Sequence, residues 1–118
     1  MDDIPREMQK FADKIALKGY VQTINTTIPT ALDDHEKNCL DLARENMDRF
    51  VDCMKKSIKK MSKEEAKFQY RLSFAQSKLQ ECFTKEFNSG RKDYERCHKE
   101  GFDRAEKYVE DFMKNIKQ

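Results

Sequence analysis

The four cysteines, Cys39, Cys53, Cys82 and Cys97, constrain this 118-residue chain more than any other feature. They fall as Cys-x13-Cys followed by Cys-x14-Cys. Separations of 14 and 15 residues are close to four turns of a 3.6-residue helix, so each pair lies along one helical face. Facing residues of an antiparallel hairpin have a nearly constant sum of residue numbers. The sums for Cys39 with Cys97 and for Cys53 with Cys82 differ by only one. One register therefore brings both pairs together as two nested disulfides, which places the chain in an oxidising compartment.

Composition limits what such a hairpin is built from. An apolar fraction of 37% against 39% charged leaves one small domain with a thin core. Three glycines, two prolines and no tryptophan argue against a turn-rich β fold, and the abundant Lys, Glu, Gln and Met suit long amphipathic helices. The 24 basic and 22 acidic residues are well mixed, a salt-bridged surface and not a nucleic-acid footprint. No stretch approaches the roughly 20 apolar residues of a membrane span. Met1-Asp2-Asp3-Ile4-Pro5 is acidic and lacks an apolar run, so it reads as neither a secretory signal nor a presequence. Disulfide-type cysteine usage without a signal excludes most secreted proteins, unless a signal was removed before Met1, and leaves the mitochondrial intermembrane space or a cytosolic protein with reduced thiols.

Along the chain, Asp3 caps a first helix with Pro5 in its first turn, and Gly19 stops it. Tyr20 to Ile28 is rich in Thr, Val and Ile and reads as an extended tether, so residues 1–29 form an N-terminal helix plus tether. Residues 30–118 form the helical hairpin domain with a C-terminal helix. Its first long helix starts near Thr30 and carries Cys39, Ala43, Phe50 and Cys53 on one face. Ser62-Lys63-Glu64-Glu65 matches a capping box, and Phe68, Leu72, Ala75, Leu79 and Cys82 form a heptad-like seam. Asn88-Ser89-Gly90 interrupts the chain before a last helix whose seam includes Gly101 and Ala105. A tight turn at Ser62 would set Cys39 near Cys82, against the nested register. The agreement of two cysteine pairs outweighs one capping box, so the bend is expected across roughly residues 62–68.

Helical hairpins held by two nested disulfides are the plan of the coiled-coil-helix-coiled-coil-helix proteins, and the cysteines here resemble that twin Cys-x9-Cys family with longer spacing. The resemblance covers about Asp33 to Phe102. A second similarity is to the family-with-sequence-similarity-136 proteins, small mitochondrial proteins with four Cys-x3-Cys pairs. Cys39, Cys53 and Cys82 overlay one member of three such pairs, while His35, Ser57 and Glu86 stand where the partner cysteines would be. Both resemblances imply import of a reduced chain, trapping by the oxidative folding machinery of the intermembrane space, and residence there. Many such proteins are accessory subunits or assembly factors of respiratory complexes.

Other motifs have plainer readings. His35 and Cys39 share a helix face, and Cys97-His98 can be drawn opposite them as a zinc site. His98 points about 100° away from Cys97, and solvated surface histidines fit better. Lys55-Lys56 and Lys59-Lys60 form a basic patch that reads as a solvated face. With two histidines, no Gly-rich phosphate loop and no nucleophile motif, no catalytic, cofactor or metal residue is assigned. The expectation is an all-α, disulfide-stapled antiparallel helical hairpin with flanking N- and C-terminal helices. Its expected role is a non-enzymatic accessory subunit of an inner-membrane respiratory complex on the intermembrane-space side. The alternatives are a soluble chaperone or assembly factor there, and a cytosolic coiled-coil adaptor. Met8, Phe11 and Ile15 at one end, and Tyr108, Phe112 and Ile116 at the other, are the expected partner-binding residues, because one hairpin seam cannot bury both stripes.

Overall fold

Four helices carry the chain in the computed structural model, which describes residues 2–118: α1 (Asp3–Leu17), α2 (Tyr20–Ala43), α3 (Met47–Ser89) and α4 (Tyr94–Lys117). The all-α class and the disulfide staples agree with the sequence reading. The helix boundaries do not all agree.

α2 runs through the segment expected to be an extended tether, so a domain boundary at residue 29 falls inside a helix. The β-branched run is helical because its polar groups are satisfied locally. The hydroxyls of Thr23, Thr26, Thr27 and Thr30 each donate to the carbonyl four residues back, at 2.7–3.0 Å. Ile24 and Ile28 gain tertiary cover from the core that contains Phe68 and Phe112. Burial of an amphipathic face overrides a weak intrinsic propensity. Pro29 sits inside this helix and supplies no backbone donor.

α3 is continuous for 43 residues and passes through Ser62–Glu65 without a break. The capping box is unused. The chain reverses instead at Arg44–Asn46, where Arg44 and Glu45 adopt positive φ (49° and 71°). The Asn46 side chain caps α3 by accepting from the Arg49 N–H at 3.2 Å. The other reversal lies at Gly90, as expected, with φ of 77°. At ~1.5 Å per residue, α3 is about 64 Å long. It therefore sets the long axis of a 67 × 21 × 18 Å rod.

Two small cores lie along α3. In the middle, Phe68 stacks on Phe112 with centroids 4.7 Å apart, among Ala31, Val109 and Ile116. Nearer Gly90, Phe83 meets Tyr94 edge-on, with Leu79 and Cys97 beside them and Met8 and Phe11 of α1 as cover. Gly101 lets α1 approach. A Cβ there would lie 2.9 Å from the Phe11 ring and 3.0 Å from Leu79. Gly101→Leu is accordingly expected to lift α1 from the bundle. Limited proteolysis should then cut within α1 while α2 to α4 stay resistant; an equally protected α1 would contradict the packing.

Candidate functional site

The disulfides join Cys39 to Cys53 and Cys82 to Cys97. The nested pairing is thus incorrect, and the physical reason is the position of the turns. The midpoint of Cys39 and Cys53 is residue 46, and that of Cys82 and Cys97 falls between 89 and 90. These are the two reversals of the chain. Each staple therefore closes one local helical corner, with Cα atoms 5.6 and 5.7 Å apart. In the loop-closure view each restrains the unfolded chain by about 3 kcal/mol, less than the longer nested loops would.

The α3–α4 corner is reinforced by an ionic clamp. Glu86 is 1% exposed and lies one turn after Cys82 on the same face. It accepts from Arg96 at 2.6 Å and from the Asp93 N–H at 3.1 Å, and Arg91 approaches to 3.6 Å. The Arg96 hydrogen bond, then the Asp93 N–H, hold the Glu86 carboxyl below its usual range, while enclosure pushes the other way. Arg96 is raised by the same bond. A carboxylate with a depressed folded pKa contributes stability above its unfolded value, about 4.3, and loses it as pH falls through the folded value. The corner should accordingly hold at neutral pH and loosen only in acid below the normal carboxylate range. Glu86→Gln is expected to lower neutral stability and flatten the acid limb of a denaturant-midpoint-versus-pH curve; an unchanged limb would contradict the clamp.

α1 is tied to the same corner by polar contacts that the sequence did not reveal. The Tyr94 hydroxyl donates to Asp3 at 2.9 Å, and Lys92 reaches Asp3 at 3.5 Å. The Tyr94 bond lowers the Asp3 pKa, and desolvation raises that of Tyr94. Asp3 is therefore a tertiary contact rather than the helix cap. His98 is 3% exposed, contrary to the surface reading. Its Nε2 lies 3.1 Å from Glu7, and its ring packs between Phe11 and Phe83. His35 instead places Nε2 2.9 Å from the Ile116 carbonyl. The imagined ligand set His35, Cys39, Cys97 and His98 is thus split between two staples and two unrelated contacts. Among the described residues no group of three or more His, Cys, Asp or Glu side chains is placed to hold a metal.

The expected partner-binding residues divide. Phe112 and Ile116, 4% and 1% exposed, are used inside the chain against α2 and α3, so they offer no surface. Tyr108 is half-buried, with Arg71 over its ring. Met8, Phe11 and Ile15 are half-buried and line an open apolar cavity of about 400 Å³ with Leu72, Ala75 and Leu79. Both terminal helices fold back on the hairpin. Exposed apolar side chains occur singly or in pairs elsewhere, at Leu17 and Val21 and at Tyr70 and Phe74, but they are most concentrated around the α2–α3 corner, where Leu42 is 65% and Met47 69% exposed, with Leu40, Val51 and Ile58 near them. Only Cys39 and Ala43 of the corner's apolar residues are fully buried. A signal for this was present in the Leu40, Leu42, Met47 and Val51 run, but it required the turn at Arg44 to be seen first.

No family model, curated protein or solved structure matches this chain, so its site stands on its own residues.

Proposed function

We propose that the chain is a non-catalytic structural subunit of a protein assembly in an oxidising compartment, acting as an accessory subunit of a respiratory complex in the mitochondrial intermembrane space. The observation that carries this reading is the covalent closure of both ends of α3. At the α2–α3 corner the core amounts to Cys39 and Ala43, so the fold there leans on a bond that a reducing cytosol would remove. A stapled rod with exposed apolar side chains at one corner is suited to bracing neighbours. No helix among the described residues is long and apolar enough to cross a membrane, which fits a peripheral position. The corner-by-corner pairing departs from the nested plan of the twin Cys-x9-Cys proteins, and the compartment therefore rests on the disulfides themselves.

A second reading, a free chaperone or assembly factor of the same compartment, is favoured by one observation. Phe112 and Ile116 of α4 are covered by α2 and α3 within the lone chain, so the C-terminal stripe needs no partner to bury it. Native electrophoresis of gently solubilised mitochondria, probed for the chain, separates the two. Fixed-stoichiometry co-migration with an inner-membrane complex supports the subunit. A free species near the 14.1 kDa chain or a small multiple of it supports the chaperone. Recovery in the cytosol with all thiols reduced overturns both.

A further inference from the structure

The uncovered face of α3 at the α2–α3 corner carries a regular pattern. Met47, Val51, Met54 and Ile58 step by 4, 3 and 4 residues, one stripe of the helix. Met47, Val51 and Ile58 are 69%, 39% and 50% exposed. At the inner end of the stripe, Ile58 and Met61 are walled by Ile28 and Leu32 of α2 and by Phe112 and Ile116 of the last two turns of α4. Toward Met47, beyond that level, the described residues leave this stripe of α3 uncovered.

A charged border runs beside the stripe at the same spacing, one residue further round the helix: Asp48, Asp52, Lys55 and Lys59. All four are exposed, and no ion pair found among the described residues engages any of them. Acid, acid, base, base is self-complementary when two copies of α3 run antiparallel. The residue-number sums for Asp48 with Lys59 and for Asp52 with Lys55 are both 107, and those for Met47 with Ile58 and for Val51 with Met54 are both 105. A single two-fold axis near residues 52–54 thus satisfies both acid–base pairings and both apolar pairings at once.

We infer that the chain forms an antiparallel two-fold homodimer through this stripe, the α2–α3 corners of two copies completing a four-helix bundle. Asp48 and Asp52 of each copy face Lys59 and Lys55 of the other. The segment that overlaps, residues 33–60, holds seven acidic and seven basic side chains, so bringing two copies together meets no net repulsion. The stripe is short, which sets the dissociation constant on the order of 10–100 µM, at the weak end of specific interfaces. The inference stands on the corner alone and is independent of compartment or complex.

Sedimentation of the full-length oxidised chain over a concentration series tests it. A monomer–dimer equilibrium is expected. Asp52→Lys and Lys55→Asp, each placing like charges across the axis, should weaken the dimer roughly tenfold. An equimolar mixture of the two single variants should restore association, because every facing pair is then of opposite sign. Val51→Asp should abolish dimerisation, with a melting curve like that of the unsubstituted chain since the site is at the surface. A monomer persisting to about 1 mM overturns the inference. So does a dimer indifferent to the swaps, or single variants whose mixture is no better than either alone. In those cases the stripe belongs to a different partner or to none.

Discussion

Reduction of both disulfides is expected to lower the unfolding free energy by about 6 kcal/mol, two loops of 14 and 15 residues at about 3 each. That is a large share of the ~5–15 kcal/mol that holds a typical domain together. The two staples should differ in where their loss is felt. Cys82–Cys97 lies in a three-helix region with Leu79, Phe83 and Tyr94 packed around it. Removing it by Cys82→Ala with Cys97→Ala should weaken the whole fold while leaving the helices docked. Cys39–Cys53 closes a two-helix corner with almost no other core. Cys39→Ala with Cys53→Ala should fray that corner before the global transition. Amide hydrogen exchange resolves the two. Fast exchange confined to roughly residues 37–56 in the second variant is the expected result, and uniform loss of protection in both would contradict the account.

Phe83→Ala is expected to cost about 3–5 kcal/mol, the range for truncating a wholly buried aromatic side chain. Phe83 is 0% exposed and contacts Tyr94 and His98 at centroid distances of 5.8 and 5.1 Å. The adjacent Cys82–Cys97 bond fixes the separation of α3 and α4 there, so the cavity cannot collapse and the upper half of the range applies. Urea unfolding should show a lower midpoint at unchanged slope. Phe74→Ala serves as the comparison, because Phe74 is 45% exposed and should change the midpoint far less. Equal losses at the two positions would mean that the core near Gly90 is not packed as described.

Legibility of this fold in the sequence followed the physics of each signal. Gly19 and Gly90 were visible because a positive φ is inexpensive only for glycine. The reversal at Arg44–Asn46 was not, since two ordinary residues adopt positive φ there and only Asn46, as a cap, marks the spot. The tether reading of Tyr20–Ile28 failed because β-branched composition reports local preference. The Thr back-bonds and the cover given to Ile24 and Ile28 are not visible in composition. The missed turn also produced the wrong pairing. With the bend placed at 62–68, Cys39 and Cys53 appeared to share one helix, and only distant partners remained. Glu86 and His98 were hidden for another reason, as a buried charge or histidine reads from sequence like any exposed one. The apolar seam of α4, with Gly101 at its closest approach, was legible, but which helix would cover it was not.

Peptide mapping of the protein purified without reductant, with free thiols blocked at lysis, reads the cysteine pairing itself. Trypsin can cut between every pair of cysteines, at Arg44 and Arg49, at several lysines from Lys55 onward, and at Arg91 and Lys92. Disulfide-linked peptides joining Cys39 to Cys53 and Cys82 to Cys97, with no blocked thiol, are the expected result. Cross-linked peptides joining Cys39 to Cys97 and Cys53 to Cys82, or four blocked thiols in the native protein, would contradict it.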